Sequence, residues 1–315
     1  MLVVEIGMLL VGLVALYLGA EGLVRGASSM ALRLGITPLI VGLTVVSFGT
    51  SAPELLVGLL GTDDISVGNI IGSNIANLAL ILGASAMVRP IEVKSRAVHR
   101  EMPVMLAATV LFIALAANGT LSQLNGLILL GAMVVYLSYM YLEARKDMKA
   151  YEAELADELG DVDPEASTFW KDGTFVVLGI VGLALGAKFM VDSSIIIAQH
   201  FGISELVIAI SIVALGTSLP ELATSMVASF RDQDDISVGN VIGSNIFNLL
   251  FVMGIVASLG SMTVGADALR IDLWVMLIIS VGIWPLLRTG HVLDRKEGAI
   301  LLAVYLGYML SLFLR

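Results

Sequence analysis

Apolar residues fall in long runs along this chain, at about 2–24, 38–61, 65–88, 102–118 and 122–142, and again at about 174–198, 205–230, 236–259, 271–287 and 297–314. Each run approaches the roughly 20 residues that a helix needs to cross the hydrocarbon of a bilayer, and short polar stretches separate them. The pattern predicts ten transmembrane helices. A helix satisfies its own backbone polar groups, as an apolar medium demands, so the expected fold class is an all-α integral membrane protein. The first run is not expected to be a cleaved signal peptide, because it lacks a basic leader, carries Glu5 and has a counterpart in mid-chain.

The chain is also a duplication. Residues 63–78, DDISVGNIIGSNIANL, align with 234–249, DDISVGNVIGSNIFNL, and differ only at Ile70/Val241 and Ala76/Phe247. GTSAPEL at 49–55 matches GTSLPEL at 216–222, and 16–36 resembles 183–203 at the same offset. Two five-span halves, 1–142 and 172–315, are therefore expected, joined by a linker at 143–171. Five is an odd number of crossings, so the second half would enter the membrane from the opposite side, giving an inverted-topology repeat.

Composition sharpens the class. Hydrophobic residues make up 58% and charged residues 14%, against roughly 45–50% and about 25% in soluble domains. With no cysteine and three scattered histidines (His99, His200 and His291), thiolate metal sites and cysteine nucleophiles are excluded. No His-Glu-x-x-His or Gly-x-Ser-x-Gly pattern occurs, so neither an enzyme nor a resident cofactor is expected. The net charge of −10 argues against a nucleic-acid partner, and no obligate protein partner is evident. Ten of the 27 acidic residues lie between 143 and 172, which predicts a solvated linker. Fourteen of the 17 Lys and Arg residues fall in alternate loops, which predicts a plasma-membrane protein with both termini outside and the linker in the cytoplasm. Glu21 with Arg25, and Lys188 with Asp192, are expected to form ion pairs one helical turn apart.

A carboxylate near the bilayer centre costs roughly 2.5–3.5 kcal/mol on insertion scales, so Glu54 and Glu221, equivalent and mid-span, call for a function. Thr44, Ser47, Thr50 and Ser51 precede the first glutamate; Ser211, Thr217 and Ser218 precede the second. Pro53 and Pro220 stand immediately before them, removing an amide hydrogen and freeing carbonyl oxygens that must line a cavity at that depth. The following span of each half carries Asn69, Ser73 and Asn77, or Asn240, Ser244 and Asn248, spaced four apart and on one face. Gly68 with Gly72, and Gly239 with Gly243, would allow close packing of that span on a neighbour. Carboxylates, hydroxyls, amide oxygens and carbonyls without nitrogen or sulfur donors suit calcium and sodium, and mutually exclusive occupancy would make an exchanger.

GTSAPE with GNIIGSNIAN, repeated as GTSLPE with GNVIGSNIFN, resembles the paired alpha-repeats of the cation/calcium exchanger superfamily, and most of all those of prokaryotic sodium/calcium exchangers. The resemblance implies a ten-helix antiporter that exchanges Ca2+ for Na+ across the membrane by alternating access. It implies a central calcium site at Glu54, Glu221 and the carbonyls of Thr50 and Thr217. Sodium sites are implied at Ser51, Ser73, Ser218 and Ser244 with carbonyls of Ser47 and Ala214, the centre being completed by Asn77 and Asn248, and spans 1 and 6 forming the gating pair. Some members of the superfamily carry an acid where Asn248 stands. A calcium/proton antiporter is the nearest alternative, and a cation channel a more distant one.

Overall fold

The computed structural model of the protein describes residues 2–158, 166–201 and 214–314. Helices follow the apolar runs: α1 (Leu2–Leu34), α2 (Pro38–Leu60), α3 (Asp63–Val88), α4 (Ala97–Ala116), α5 (Gln123–Glu158), α6 (Ala166–His200), α7 (Leu219–Phe230), α8 (Asp234–Leu259), α9 (Ala268–Arg288) and α10 (Arg295–Phe313). Among the described residues eight of these, α1–α6, α8 and α9, are long and apolar enough to cross a membrane. The early part of the run expected at 205–230 lies outside the described residues, and α7 is its continuation.

Burial sorts the helices into layers. Of the most apolar stretch of each helix, 78% is buried in α3 and 83% in α8, against 17% in α1. The helices carrying the asparagine and serine stripes are thus the centre of the bundle, and α1 lies at the lipid-facing edge. Polar residues survive in the apolar spans because they are turned inward, away from lipid.

Small residues decide how closely these layers approach. A Cβ on Gly19 would stand 2.6 Å from the Leu183 amide nitrogen, and one on Gly186 would stand 2.6 Å from that of Leu16, so α1 and α6 touch backbone to backbone. Gly12 faces Gly186 while Gly26 faces Asp172, so the two helices run antiparallel. At the centre, Gly239 abuts the Leu39 carbonyl and Gly243 the Ser47 side chain, bringing α8 onto the first part of α2. This is the close packing expected of that glycine pair, whereas a Cβ on Gly68 or Gly72 would meet nothing within 4 Å among the described residues, so the first pair does not share the role. Phe247, one of the two positions at which the duplicated motif differs, stacks edge-on against Phe48 and Phe251 at centroid distances of 5.9 and 6.0 Å.

Two short antiparallel sheets tie the halves together, one at each end of α4. Strand β1 (Ile91–Glu92) pairs with β4 (Val292–Leu293), and β2 (Thr120–Leu121) pairs with β3 (Met262–Thr263), so each half gives one strand to each sheet. The twin Asp-Asp turns dock on the same two faces. Asp63 accepts hydrogen bonds from the Thr263 amide and hydroxyl at 2.8 and 2.9 Å, and Asp234 accepts from the Glu92 amide at 2.9 Å and from Arg89 at 2.8 Å. The second face is the more highly charged: Arg89 also pairs with Asp232, and Lys94 with Asp235.

Two expectations about charge differ from the structure. Glu21 reaches across to Arg231 on the neighbouring α7 end, and Arg25 lies over the Phe175 ring at 5.6 Å, so the anticipated Glu21–Arg25 pair is replaced by contacts between helices; Lys188–Asp192 does pair, at 2.6 Å. The acidic stretch is not uniformly a solvated linker either. Helix α5 continues to Glu158, Glu143 is buried between Arg100 and Lys146, and Asp172 is buried against Arg33. Neutralising partners on adjacent helices, invisible to a count of charges along the chain, account for both.

Filling the α1–α6 seam should loosen it. Gly186→Val is expected to destabilise the detergent-solubilised protein by about 1–3 kcal/mol through overpacking, read as a lower thermal midpoint, while a valine at the lipid-facing Gly7, where a Cβ meets nothing, should leave the midpoint unchanged.

Candidate ion-binding site

The prolines set the geometry. Lacking an amide hydrogen, Pro53 and Pro220 are tolerated in the first turn of a helix, and the chain breaks two residues ahead of each, at Ser51 (φ −82°, ψ 8°) and Ser218 (φ −86°, ψ 3°). Each prolyl turn therefore opens a new helical segment, so that α2 is one span built of segments that meet at Ser51. Glu54 and Glu221 lie in these first turns, where the helix dipole favours a negative charge. Ser51 and Ser218 occupy the capping positions but do not cap, because their hydroxyls reach the opposite half.

Cross-half hydrogen bonds assemble the centre. Ser51 Oγ donates to Glu221 Oε1 at 3.2 Å and Ser218 Oγ to Ser73 Oγ at 3.2 Å, and within the first half Ser73 Oγ passes the chain on to Glu54 Oε1 at 3.3 Å. Thr50 Oγ1 donates to Asn240 Oδ1 at 3.1 Å with Ser244 Oγ at 3.4 Å, and its counterpart Thr217 Oγ1 donates to Asn69 Oδ1 at 3.0 Å. Eight of the twelve expected site residues thus meet in one buried polar cluster contributed by α2, α3, α8 and α7 with the turn that leads into it.

Ser47 borders this cluster, its carbonyl accepting from Thr50 Oγ1 at 3.4 Å. The Ser47 hydroxyl donates to the Gly42 carbonyl at 2.7 Å, with the Asn240 carbonyl at 3.0 Å, while its own carbonyl accepts from the Ser51 amide at 3.0 Å. Ala214 opens the helical turn Ala214–Gly216 ahead of the second break, and Ser211 lies outside the described residues.

Asn77 and Asn248 sit in matching π-helical turns, Ala76–Ile81 and Phe247–Val252, a geometry that re-aims side chains and recurs at functional sites. Asn77 Nδ2 donates to Asn245 Oδ1 at 3.0 Å.

Both glutamates are fully buried, and their Oε2 atoms have no hydrogen-bond partner among the described residues; the same holds for Asn77 Oδ1 and Asn248 Oδ1. Buried polar atoms are nearly always partnered, so these four oxygens suit a ligand that supplies positive charge. Two carboxylates, amide oxygens and hydroxyls form a hard-oxygen donor set of the kind that binds calcium or sodium.

Sequence reasoning placed Asn69 and Asn240 on the inward stripe without assigning their contacts, and it missed Ser225, whose Oγ accepts from Asn240 Nδ2 at 3.0 Å. The spacing of Ser225 four residues after Glu221 was the available signal.

Broken helices placing paired carboxylates at the centre of a helical membrane bundle define a cation transporter. The protein-family model described as sodium/calcium exchanger protein matches residues 4–142 and 173–314. Sodium/calcium exchanger MaX1 of Methanosarcina acetivorans is 32% identical over 348 residues, with 99% of each chain covered. Inner membrane protein YrbG of Escherichia coli is 35% identical, over 97% of this chain and 96% of its own. A solved structure of the sodium-calcium exchanger NCX_Mj superposes with a TM-score of 0.83 at 28% identity, covering 99% of this chain and 100% of that one. The chain belongs to the sodium/calcium exchanger family, and is a multi-pass membrane protein of the cation/calcium exchangers. Its family and structural neighbours are transporters, not enzymes.

Replacing either carboxylate tests the site. Glu54→Gln and Glu221→Gln should each abolish calcium binding at equilibrium, because each halves the formal charge facing a divalent ion. The thermal midpoint should hold or rise, since a buried carboxylate and its desolvation penalty are removed. Unaltered calcium binding by either variant would remove these residues from the site.

Proposed function

We propose that the protein exchanges Ca2+ for Na+ by alternating access, exporting calcium electrogenically across the cell membrane. The observation that carries this reading is the pair of fully buried glutamates, each in the first turn of a broken helix, each bonded through one oxygen and each with the other oxygen free of partners among the described residues. One divalent ion neutralises both carboxylates. Sodium ions draw on the same carboxylates and on the surrounding hydroxyls, so the two loads compete for one set of oxygens.

In this reading calcium is held by Glu54, Glu221 and the Thr50 and Thr217 carbonyls. Sodium is held at Ser51, Ser73, Ser218 and Ser244 with the carbonyls of Ser47 and Ala214, and Asn77 and Asn248 complete the centre. Structures of the similar NCX_Mj were obtained after soaking in Na+ and in Ca2+ or Sr2+, and MaX1 is named a sodium/calcium exchanger, which supports these two substrates.

Alternating access needs two states related by exchanging the roles of the halves, and an inverted repeat provides them. The antiparallel run of α1 on α6 and the reciprocal strand pairs support ten spans arranged as two inverted five-helix halves, 1–142 and 172–315. The Lys/Arg bias puts both termini outside and the acidic linker in the cytoplasm, and the name of the inner membrane relative fits a location in the cell membrane.

Calcium uptake into proteoliposomes should follow an imposed sodium gradient, not a potassium or proton gradient; uptake driven by a pH gradient in sodium-free medium would instead make the protein a calcium/proton antiporter. Orientation has its own check in this cysteine-free chain. Asp64→Cys should react with an impermeant thiol reagent on intact cells and Asp235→Cys only after the cells are opened, and labelling of both from one side would overturn the inverted arrangement.

A further inference from the structure

The two threonine–asparagine ties are alike at the amide oxygen and unlike at the amide nitrogen. Asn240 Nδ2 donates to Ser225 Oγ at 3.0 Å, with the Glu221 carbonyl at 3.4 Å, whereas Asn69 Nδ2 is buried with no partner among the described residues. The difference traces to one position. Ser225 stands four residues after Glu221, and the residue four after Glu54 is Gly58, which has no hydroxyl to offer.

An amide turned through 180° exchanges an acceptor for two donors. Asn240 is held at both ends of its amide, at Oδ1 by Thr50 and at Nδ2 by Ser225 and the Glu221 carbonyl, and turning it would set Oδ1 against that carbonyl oxygen. Among the described residues Asn69 is held by the hydroxyl of Thr217 alone. The Thr50 side chain, and with it the backbone at the first helix break, is therefore anchored through two consecutive bonds into α7, the helix that also carries Glu221.

We propose that Ser225 is a positioning residue: through Asn240 it fixes Thr50, making the Thr50 half of the ion site the pre-organised half and leaving the Thr217 half to adjust. The inference rests on the reading of Glu54, Glu221 and Thr50 as ion ligands. Ligands ordered in advance need not be ordered on binding, so loss of the anchor weakens capture of the ion more than it slows turnover. Ser225 itself is completely buried within α7 and is not among the ligands of that reading.

Calcium uptake by reconstituted protein, under whichever gradient drives it, separates apparent KM from kcat. Ser225→Ala should raise the KM for calcium about three- to tenfold, the effect of one lost buried hydrogen bond, with kcat within about twofold of the parent. Ser225→Thr, which keeps Oγ, should restore the KM. Ser225→Gly copies the residue of the other half and should reproduce the alanine result if alanine folds poorly. Asn240→Leu should raise the KM too, and adding Ser225→Ala to it should bring no further increase, because the anchor acts through Asn240. A parental KM in both Ser225→Ala and Ser225→Gly, or effects that multiply in the double variant, would overturn the proposal. Glu54→Gln, run alongside, separates the two failures. If it exchanges normally, the site reading and the Ser225 inference fall together. If it is inactive while Ser225→Ala keeps the parental KM, only the Ser225 inference falls.

Discussion

Two carboxylates buried at the centre of a membrane bundle impose the main constraint on this protein. Neither can be left without donors in a medium that contains no water, and two in one cluster repel each other. Each is placed at a helix start, where the dipole favours its charge, and a helix start at that depth requires a break in the backbone. The break in turn exposes groups that lipid cannot satisfy, so it must be enclosed by protein. Helices α3 and α8, lined with serine and asparagine and the most completely buried of the eight long apolar spans, provide the enclosure. Glutamate, proline, broken helix and polar stripe thus depend on one another, and none could stand alone in this environment.

The contacts come in pairs related by exchanging the halves: Thr50 with Asn240 and Thr217 with Asn69, β1 with β4 and β2 with β3, Asp63 with Thr263 and Asp234 with Glu92. Besides the Ser225–Gly58 difference at the centre, departures from this pairing stand out at one face. There Arg89 and Lys94 engage Asp232, Asp234 and Asp235 around a cavity of about 670 Å³, and the two non-glycine residues with positive φ among those described, Asp232 (57°) and His291 (53°), line it. At the opposite face a threonine does the work of the arginine. The two ends that clamp the centre are therefore unequal, with ion pairs on the side that the Lys/Arg bias assigns to the cytoplasm.

Much of this was legible in the chain, for identifiable reasons. Membrane spans announce themselves by length and apolarity, and the duplication by near-identity over sixteen residues. Glu54 and Glu221 stand out because a charge in an apolar run is too costly to be kept without a use. What stayed hidden depends on which helices become neighbours. Arg25 looked like the partner of Glu21 because it lies one turn away, yet Arg231, more than two hundred residues distant, is the partner in space. Glu143 and Asp172 read as linker acids because their cationic partners, Arg100 and Arg33, belong to other helices. Ser225 reads as one more small residue on a helix until Asn240 is seen to face it.

The reciprocal strand pairs bear on how such a chain is made. During synthesis the first half reaches the bilayer well before the second has left the ribosome. Its strands β1 and β2 then lack their partners, and Asp63 lacks the Thr263 amide and hydroxyl that it bonds in the finished molecule. Ser51 has no glutamate to bond, and Thr50 no asparagine. The early half is accordingly a membrane-inserted intermediate with unmet polar groups at both faces and at its core, and its native contacts are completed when the second half arrives. Biogenesis is then a joint act of the two halves, and an error in the insertion of the late half would leave the early one with these polar groups unmet.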